Sequence, residues 1–246
     1  METVALSSLT WLVAVQFVLY AAGWSLISLL LGPRRAAVGH WVAFLLCMAA
    51  GFVAAAHRDE PRHWLAFNGA SWLFVLGYVL LRRGVELFLR QPPRDAEHAL
   101  TLATVSLSFA LVPVDAASAP LRVMLAYGLA AWIMLRLLLT LYTPLHERYG
   151  PRQLWLLAAP AVLLTGVYLL RLLHQLLWPD PAVDMDALRL PMMTGYLVGA
   201  ALFNFSFMTL VMLSLVNRLR LQSQRDALTG LPNRRALDDD LQREWA

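Results

Sequence analysis

Along the chain, long uninterrupted apolar runs alternate with short polar breaks rich in arginine, proline and glycine. The first run, residues 9–31, carries no charge. As a helix it would extend about 35 Å, more than the roughly 30 Å hydrocarbon thickness of a bilayer. Further runs occupy residues 41–56, 64–81, 99–114, 121–142, 154–178 and 190–216. Apolar residues on every side of each run predict helices surrounded by lipid or by other helices. The pattern therefore predicts an all-α, polytopic transmembrane bundle of seven spans. The second and fourth runs are the short ones, about 24 Å each as helices, and need flanking residues or local thinning to cross.

Composition sharpens this expectation. The chain has 246 residues, 59% of them hydrophobic and 15% charged, against roughly 45–50% and about 25% in an ordinary soluble domain. Its mean hydropathy is +0.59. A soluble globular protein is excluded. All 20 basic residues are arginine, which excludes a phosphate-binding P-loop lysine, a Schiff base and a lysine general base. The lone Cys47 lies in an apolar run and serves as a small hydrophobe. The net charge of +4 does not indicate nucleic acid, because the arginines fall in short clusters between apolar runs. That distribution follows membrane topology.

The first, third and fifth loops carry Arg34, Arg35, Arg82, Arg83, Arg90, Arg94, Arg148 and Arg152, whereas the second, fourth and sixth, with their edges, carry Arg58, Arg62, Arg122 and Arg189. The richer set is expected in the cytoplasm, with the N-terminus outside and the C-terminus inside. Trp41, Trp64, Trp155 and Trp178 lie at run ends and read as interface anchors. Val85, Leu87, Phe88 and Leu89 suggest that the third helix runs on along the inner surface until Pro92-Pro93 stops it. No internal repeat is evident, so a transporter built of inverted halves is not supported.

After Val216 the composition turns polar, and residues 217–225 read as a cytoplasmic connecting helix. Residues 226–237 then read Asp-Ala-Leu-Thr-Gly-Leu-Pro-Asn-Arg-Arg-Ala-Leu. This segment resembles the opening of the GGDEF domain of bacterial diguanylate cyclases, D-x-L-T-G-L-x-N-R-R-x-L, at every fixed position. Read from chemistry alone, Gly230 and Pro232 break the rod, and Asn233 can cap a new helix. Leu237, Leu241 and Trp245 form its apolar stripe.

The resemblance covers less than a tenth of the chain and divides it into a sensor domain, 1–216, a connecting helix, 217–225, and the start of a GGDEF domain, 226–246. It implies that Asp226, Thr229, Gly230, Asn233, Arg234 and Arg235 form a hinge or regulatory element; none is catalytic. The metal-binding carboxylates, guanine contacts and catalytic loop of the family would come after Ala246. The polypeptide as given is therefore expected to have no cyclase activity and no cofactor of its own, magnesium and GTP belonging to the downstream domain. A fragment, a deliberate truncation and an interrupted reading frame are equally compatible with this ending.

By resemblance, the whole protein would be a homodimeric inner-membrane receptor of a bacterium that regulates cyclic di-GMP synthesis in response to a small-molecule or membrane signal. Its partners would be the bilayer and a second copy, not nucleic acid. Alternatives are a receptor with a degenerate GGDEF domain, one with an added phosphodiesterase output, and a transporter-like bundle with a regulatory tail.

Polar residues inside the runs are the remaining candidates. Arg136 lies about 9 Å from the end of its run and is expected to snorkel to the cytoplasmic interface. Arg171 has His174 and Gln175 at i+3 and i+4 on one helix face. With Gln16, Asn68 and Thr194 in the outer halves of other spans, they are candidates for an outward-facing pocket for an anionic or hydrogen-bonding signal, weighed against ordinary interhelical bonding. The segment 57–63, His-Arg-Asp-Glu-Pro-Arg-His, reads as a solvated loop rather than a metal site. His40, His98 and His146 sit at cytoplasmic run ends and read as structural. Gly195 and Gly199 form a G-x-x-x-G suited to close helix packing, preferably inside the bundle.

Overall fold

The computed structural model describes residues 2–58, 63–92, 94–115, 117–178 and 185–223. Among these the chain is all-helical: α1 Glu2–Leu30, α2 Arg35–Ala56, α3 Ala70–Leu89, α4 Asp95–Leu111, α5 Ala119–Tyr149, α6 Pro151–Leu177 and α7 Met185–Ser223. Each apolar run is thus matched by a helix. Five of them, α1, α2, α5, α6 and α7, are long and apolar enough to cross a membrane. The second run reaches that length because α2 starts at Arg35, ahead of the apolar stretch, and extends over 22 residues. The third and fourth runs are not among the five. α4 has 17 residues, and the third run is divided between a π-helical turn, Leu65–Gly69, and α3, which carries Arg82, Arg83 and Glu86.

The exposed surface is apolar in a way water would not tolerate. Leu19, Leu26 and Leu30 of α1 and Leu156, Leu170 and Leu176 of α6 all lie outward and exposed. Continuous patches of this kind are what a bilayer covers.

α2 packs closely against α3, and small residues set the separation. A Cβ on Gly84 would lie 2.5 Å from the Trp41 ring and 3.0 Å from the Ala37 carbonyl oxygen. A Cβ on Gly77 would lie 2.7 Å from the Met48 methyl. Trp41 is therefore not an interface anchor. It is fully buried, with its ring stacked on Phe88 at 5.2 Å and edge-on to Trp24 at 5.6 Å. Its place at a run end concealed that α2 begins six residues before it, at Arg35. Trp64, Trp155 and Trp178 are about half exposed or more.

α3 also departs from the surface path expected for residues 85–89. Val85, Phe88 and Leu89 are buried, and the helix ends in a left-handed residue, Arg90 at φ 57°. Gln91 N–H then donates to the Glu86 carbonyl at 2.8 Å, the six-to-one bond of a Schellman cap. α5 and α6 form an antiparallel hairpin joined by Gly150 alone, whose φ of +82° only glycine adopts without strain.

The chain divides into two compact units, Met1–Asn204 and Phe205–Ala246. In the first, a Cβ on Gly199 would lie 3.0 Å from Leu164 of α6 and one on Gly195 3.5 Å from Val167, so the G-x-x-x-G packs against α6. In the second, α7 continues helical through Ser223. The hinge residues Asp226, Thr229, Gly230, Asn233, Arg234 and Arg235 lie outside the described residues.

Candidate functional site

Two polar assemblies occupy opposite halves of the helices α3 and α5. The first is a cavity of about 540 Å³ among α1, α2, the π turn, α3, α5, α6 and α7. Its walls carry three arginines, Arg58, Arg122 and Arg171, and four tyrosines, Tyr78, Tyr127, Tyr168 and Tyr196. Among the described residues no aspartate or glutamate lines it.

Each arginine arrives by a different route. Arg58 comes just after the end of α2, and its Nε donates to the Ala66 carbonyl at 2.8 Å. Arg122 sits in the first turn of α5, and its Nη1 donates to the Pro113 carbonyl at 2.6 Å. Both guanidinium groups lie over the same ring, Phe67, at 5.6 and 5.7 Å from its centroid. Cation–π attraction of this kind is worth about 0.5–2 kcal/mol per contact. The π turn explains why Phe67 is available. One extra residue in the turn re-aims the side chains before α3 begins at Ala70.

Arg171 comes from α6, is 4% exposed, and lies over the Tyr127 ring at 5.9 Å. Its Nη1 donates to His174 Nδ1 at 3.4 Å, and the His174 ring tilts against Trp178 at 5.4 Å.

The tyrosines of the wall bond to one another. Tyr78 and Tyr168 hydroxyls are hydrogen-bonded to each other, and Tyr196 donates to the Tyr127 hydroxyl at 3.4 Å. Tyr127 in turn points its hydroxyl at the Met192 sulfur, 3.9 Å away. Tyr168 lies within 5.8 Å of both Tyr78 and Tyr127, centroid to centroid. Phe52, Phe74, Met48 and Ala130 add apolar wall.

Of the residues expected in an outward-facing pocket, Arg171 lines the cavity and His174 bonds to it. The others serve elsewhere. Gln175 is buried on α6, and Thr194 is exposed. Gln16 Nε2 donates to the Tyr20 hydroxyl at 3.0 Å and to the Leu197 carbonyl at 3.4 Å, an α1–α7 tie. Asn68 is fully buried and donates to the Phe109 and Val112 carbonyls at 3.0 and 2.8 Å. It receives the end of α4 at the point where Val112 turns extended. Trp64 Nε1 adds a third bond to this end, donating to the Phe109 carbonyl at 3.1 Å. Asn68 is thus a cap supplied in trans, the polar use that a buried amide finds when a helix end lies beside it.

Arg58 and Arg122 did not stand out in the sequence, because loop arginines count first as topology signals. The tyrosines are spread over α3, α5, α6 and α7 with no shared spacing.

The second assembly begins one turn beyond Tyr78 on α3. Arg82 is 2% exposed and grips Glu97 of α4 through both terminal nitrogens, at 2.7 and 3.0 Å. Arg136 of α5 holds the same carboxylate from the other side, Nε and Nη2 each at 2.7 Å. Arg136, expected to snorkel, thus ends on a carboxylate of another helix, and its guanidinium lies 5.6 Å from the Trp132 ring.

Glu86, fully buried, accepts from His98 Nε2 at 2.8 Å, and its Oε1 lies 3.1 Å from Arg82 Nε as an ion pair without hydrogen-bond alignment. Arg83 reaches Asp95 at 3.0 Å. Hydrogen bonds from Arg136 and then Arg82 hold the Glu97 carboxyl well below the usual carboxylate range. The cluster staples α3, α4 and α5 together and keeps Arg82 from being an uncompensated buried charge.

Among the described residues no group of three or more His, Cys, Asp or Glu is arranged to hold a metal ion. Comparison with family models, curated proteins and solved structures finds no match.

Proposed function

We propose that the chain is the membrane-embedded sensory part of a bacterial protein that regulates cyclic di-GMP synthesis. In this reading all seven helices span the inner membrane, with the N-terminus outside and the C-terminus cytoplasmic. Two copies associate, and an occupant of the cavity changes how the paired α7 helices orient the cytoplasmic segments attached to their ends. The mechanism is a population shift between arrangements of the dimer.

The observation that carries the proposal is the continuity of the last helix. The candidate span Leu190–Leu219 is part of α7, which runs through Ser223, three residues before the Asp226 that opens the GGDEF-like motif. From Val216 to Ser223 it extends about 10 Å beyond the apolar run. Met212, Val216 and Leu219 are all exposed along it, at four- and three-residue steps that suit a seam with a second copy. In the GGDEF family, GTP and magnesium are bound by the catalytic part of the domain, and none of the described residues is assigned to them.

The test is register. One residue inserted after Gln222 rotates everything beyond by about 100°, whereas seven restore the phase to within about 20°. In the full-length protein, cyclic di-GMP output measured in cells should be fixed high or low by the single insertion and should stay responsive after the seven-residue insertion. Equal, normal regulation in both would make the segment a flexible tether and end this reading.

A further inference from the structure

Four helices each bring one tyrosine to the cavity wall: Tyr78 of α3, Tyr127 of α5, Tyr168 of α6 and Tyr196 of α7. Their rings gather around Tyr168, 5.8 Å from Tyr78 and Tyr127 and 6.3 Å from Tyr196, centroid to centroid. Phe52 extends the group, 5.4 Å from Tyr196 and 4.9 Å from Phe74. Each hydroxyl has one proton to donate and two lone pairs that accept. The bond between Tyr78 and Tyr168 uses one of that pair's two protons. Neither hydroxyl has another hydrogen-bond partner among the described residues, so the second proton has no protein acceptor there. Tyr196 donates to Tyr127, whose own proton ends on the Met192 sulfur at 3.9 Å, and a thioether is a weak acceptor. Two of the four phenolic protons therefore lack a good acceptor, and both belong to hydroxyls lining one space. Tyr78 and Tyr168 are buried, where an unmet donor costs free energy.

We infer that the cavity is a binding site for a neutral aromatic or quinonoid ring bearing carbonyl oxygens, which accept from the Tyr78–Tyr168 pair and from Tyr127. This deepens the sensory reading above, on which it rests, by naming the class of the occupant. A carbonyl accepts from a phenol without needing a counter-charge, and in an apolar site that bond is stronger than in water. Tilted and edge-on rings around the space suit a flat aromatic body, and thioethers of Met48, Met192 and Met193 suit its edges. The guanidinium groups of the wall have partners within the protein, and a neutral ring asks nothing of them. The volume of about 540 Å³ falls within the range of small-molecule pockets, about 300–1,000 Å³.

The test uses the full chain in nanodiscs of neutral phosphatidylcholine. Duroquinone is the probe, because its fully substituted ring cannot alkylate the Cys47 thiol; durene, the same ring without oxygen, is the comparison. Equilibrium dialysis reads binding in excess of that to empty nanodiscs, so each compound is referred to its own partition into lipid. Duroquinone should bind saturably and at least about fivefold more tightly than durene, the scale of one net hydrogen bond. The double variant Tyr78→Phe/Tyr168→Phe should lose about fivefold for duroquinone and leave durene within about twofold. Ala126→Leu, which narrows the cavity, should weaken both, and Tyr142→Phe, exposed on α5, should change neither. Infrared difference spectra of the parent supply a readout that needs no variant: the carbonyl stretch of bound duroquinone should lie below that in empty nanodiscs. Displacement by decylubiquinone carried in the nanodisc would assign the site to membrane quinones, and failure to displace would assign it to smaller free rings.

No saturable excess over empty nanodiscs, equal affinity for duroquinone and durene, or an unshifted carbonyl band would overturn the inference. Tighter binding of tetramethylbenzoate than of duroquinone would reassign the site to anions and overturn it as well. None of these outcomes bears on the helical register test, so the ligand class can fail while the sensory reading stands.

Discussion

Replacing Glu97 by glutamine asks how much of the bundle depends on one carboxylate. Glu97 accepts four charged hydrogen bonds between 2.7 and 3.0 Å, two from Arg82 and two from Arg136. Arg82 is 2% exposed and cannot turn to water, whereas the Glu97 side chain keeps 26% of its exposure. Removing one partner of a fully buried pair costs about 3–5 kcal/mol. Two features reduce that figure here: the carboxylate is partly wet, and Arg82 keeps Glu86 at 3.1 Å. We therefore expect Glu97→Gln to destabilise the bundle by about 2–3 kcal/mol.

Arg136→Gln, from a half-buried position, should cost about 1–2 kcal/mol, because Arg82 still neutralises the carboxylate. Since both substitutions break the same contact, the double variant should be more stable than the sum predicts by about 1 kcal/mol. The assay is reversible unfolding in mixed micelles, followed by tryptophan fluorescence over increasing denaturing detergent. A Glu97→Gln loss below about 0.5 kcal/mol, the size of an ordinary surface substitution, would refute the view that this carboxylate joins α3, α4 and α5.

The same cluster sets a pH dependence. Because the Glu97 carboxyl is held below its ordinary value in the folded state, its contribution is present above the unfolded value of about 4.3 and fades as pH falls towards the folded one. The stability difference between the parent and Glu97→Gln should be constant from pH 8 to pH 6 and shrink below about pH 5; a difference that grows on acidification would contradict the assignment. Gly84→Ala should destabilise by about 1–3 kcal/mol by overpacking against Trp41, although alanine is the better helix former by about 1 kcal/mol. Gly128→Ala, whose Cβ would meet nothing within 4 Å, should be neutral or stabilising, and similar melting of the two variants would contradict the close α2–α3 contact. For topology, single cysteines placed at Arg35, Arg90 and Arg152 in a Cys47→Ala background should be protected from an impermeant reagent added outside, whereas one at Asp115 should react; the opposite labelling would invert the arginine argument.

Helix number and all-α class were legible because they depend on local composition. An uncharged apolar run has no low-energy alternative to a helix in lipid, where every backbone polar group must be paired within the segment. The arginines within apolar runs were equally visible, since a charge in such a run stands out one residue at a time. Their roles were not visible. Arg136 has a long side chain that can snorkel or pair, and only the approach of Glu97 from another helix selects pairing. Trp41 sits at the edge of an apolar run like an anchor, yet the glycines of α3 bring that helix close enough to bury it.

The cavity shows the same division. Arg171 announced itself by being costly to bury, but Arg58, Arg122 and the four tyrosines carry no mark in the chain. They become one site only when segments far apart in sequence bring them around a common space. Thr194 and Asn68 were assigned by position along their apolar runs, which the sequence does give. Their direction around the helix axis was decided by packing: Thr194 faces outward, and Asn68 turns to the open end of α4. Hydrophobic length is a property of each segment alone, whereas the rotation of a helix in a bundle is set by which side chains of its neighbours it must fit, and that is decided only in the assembled structure.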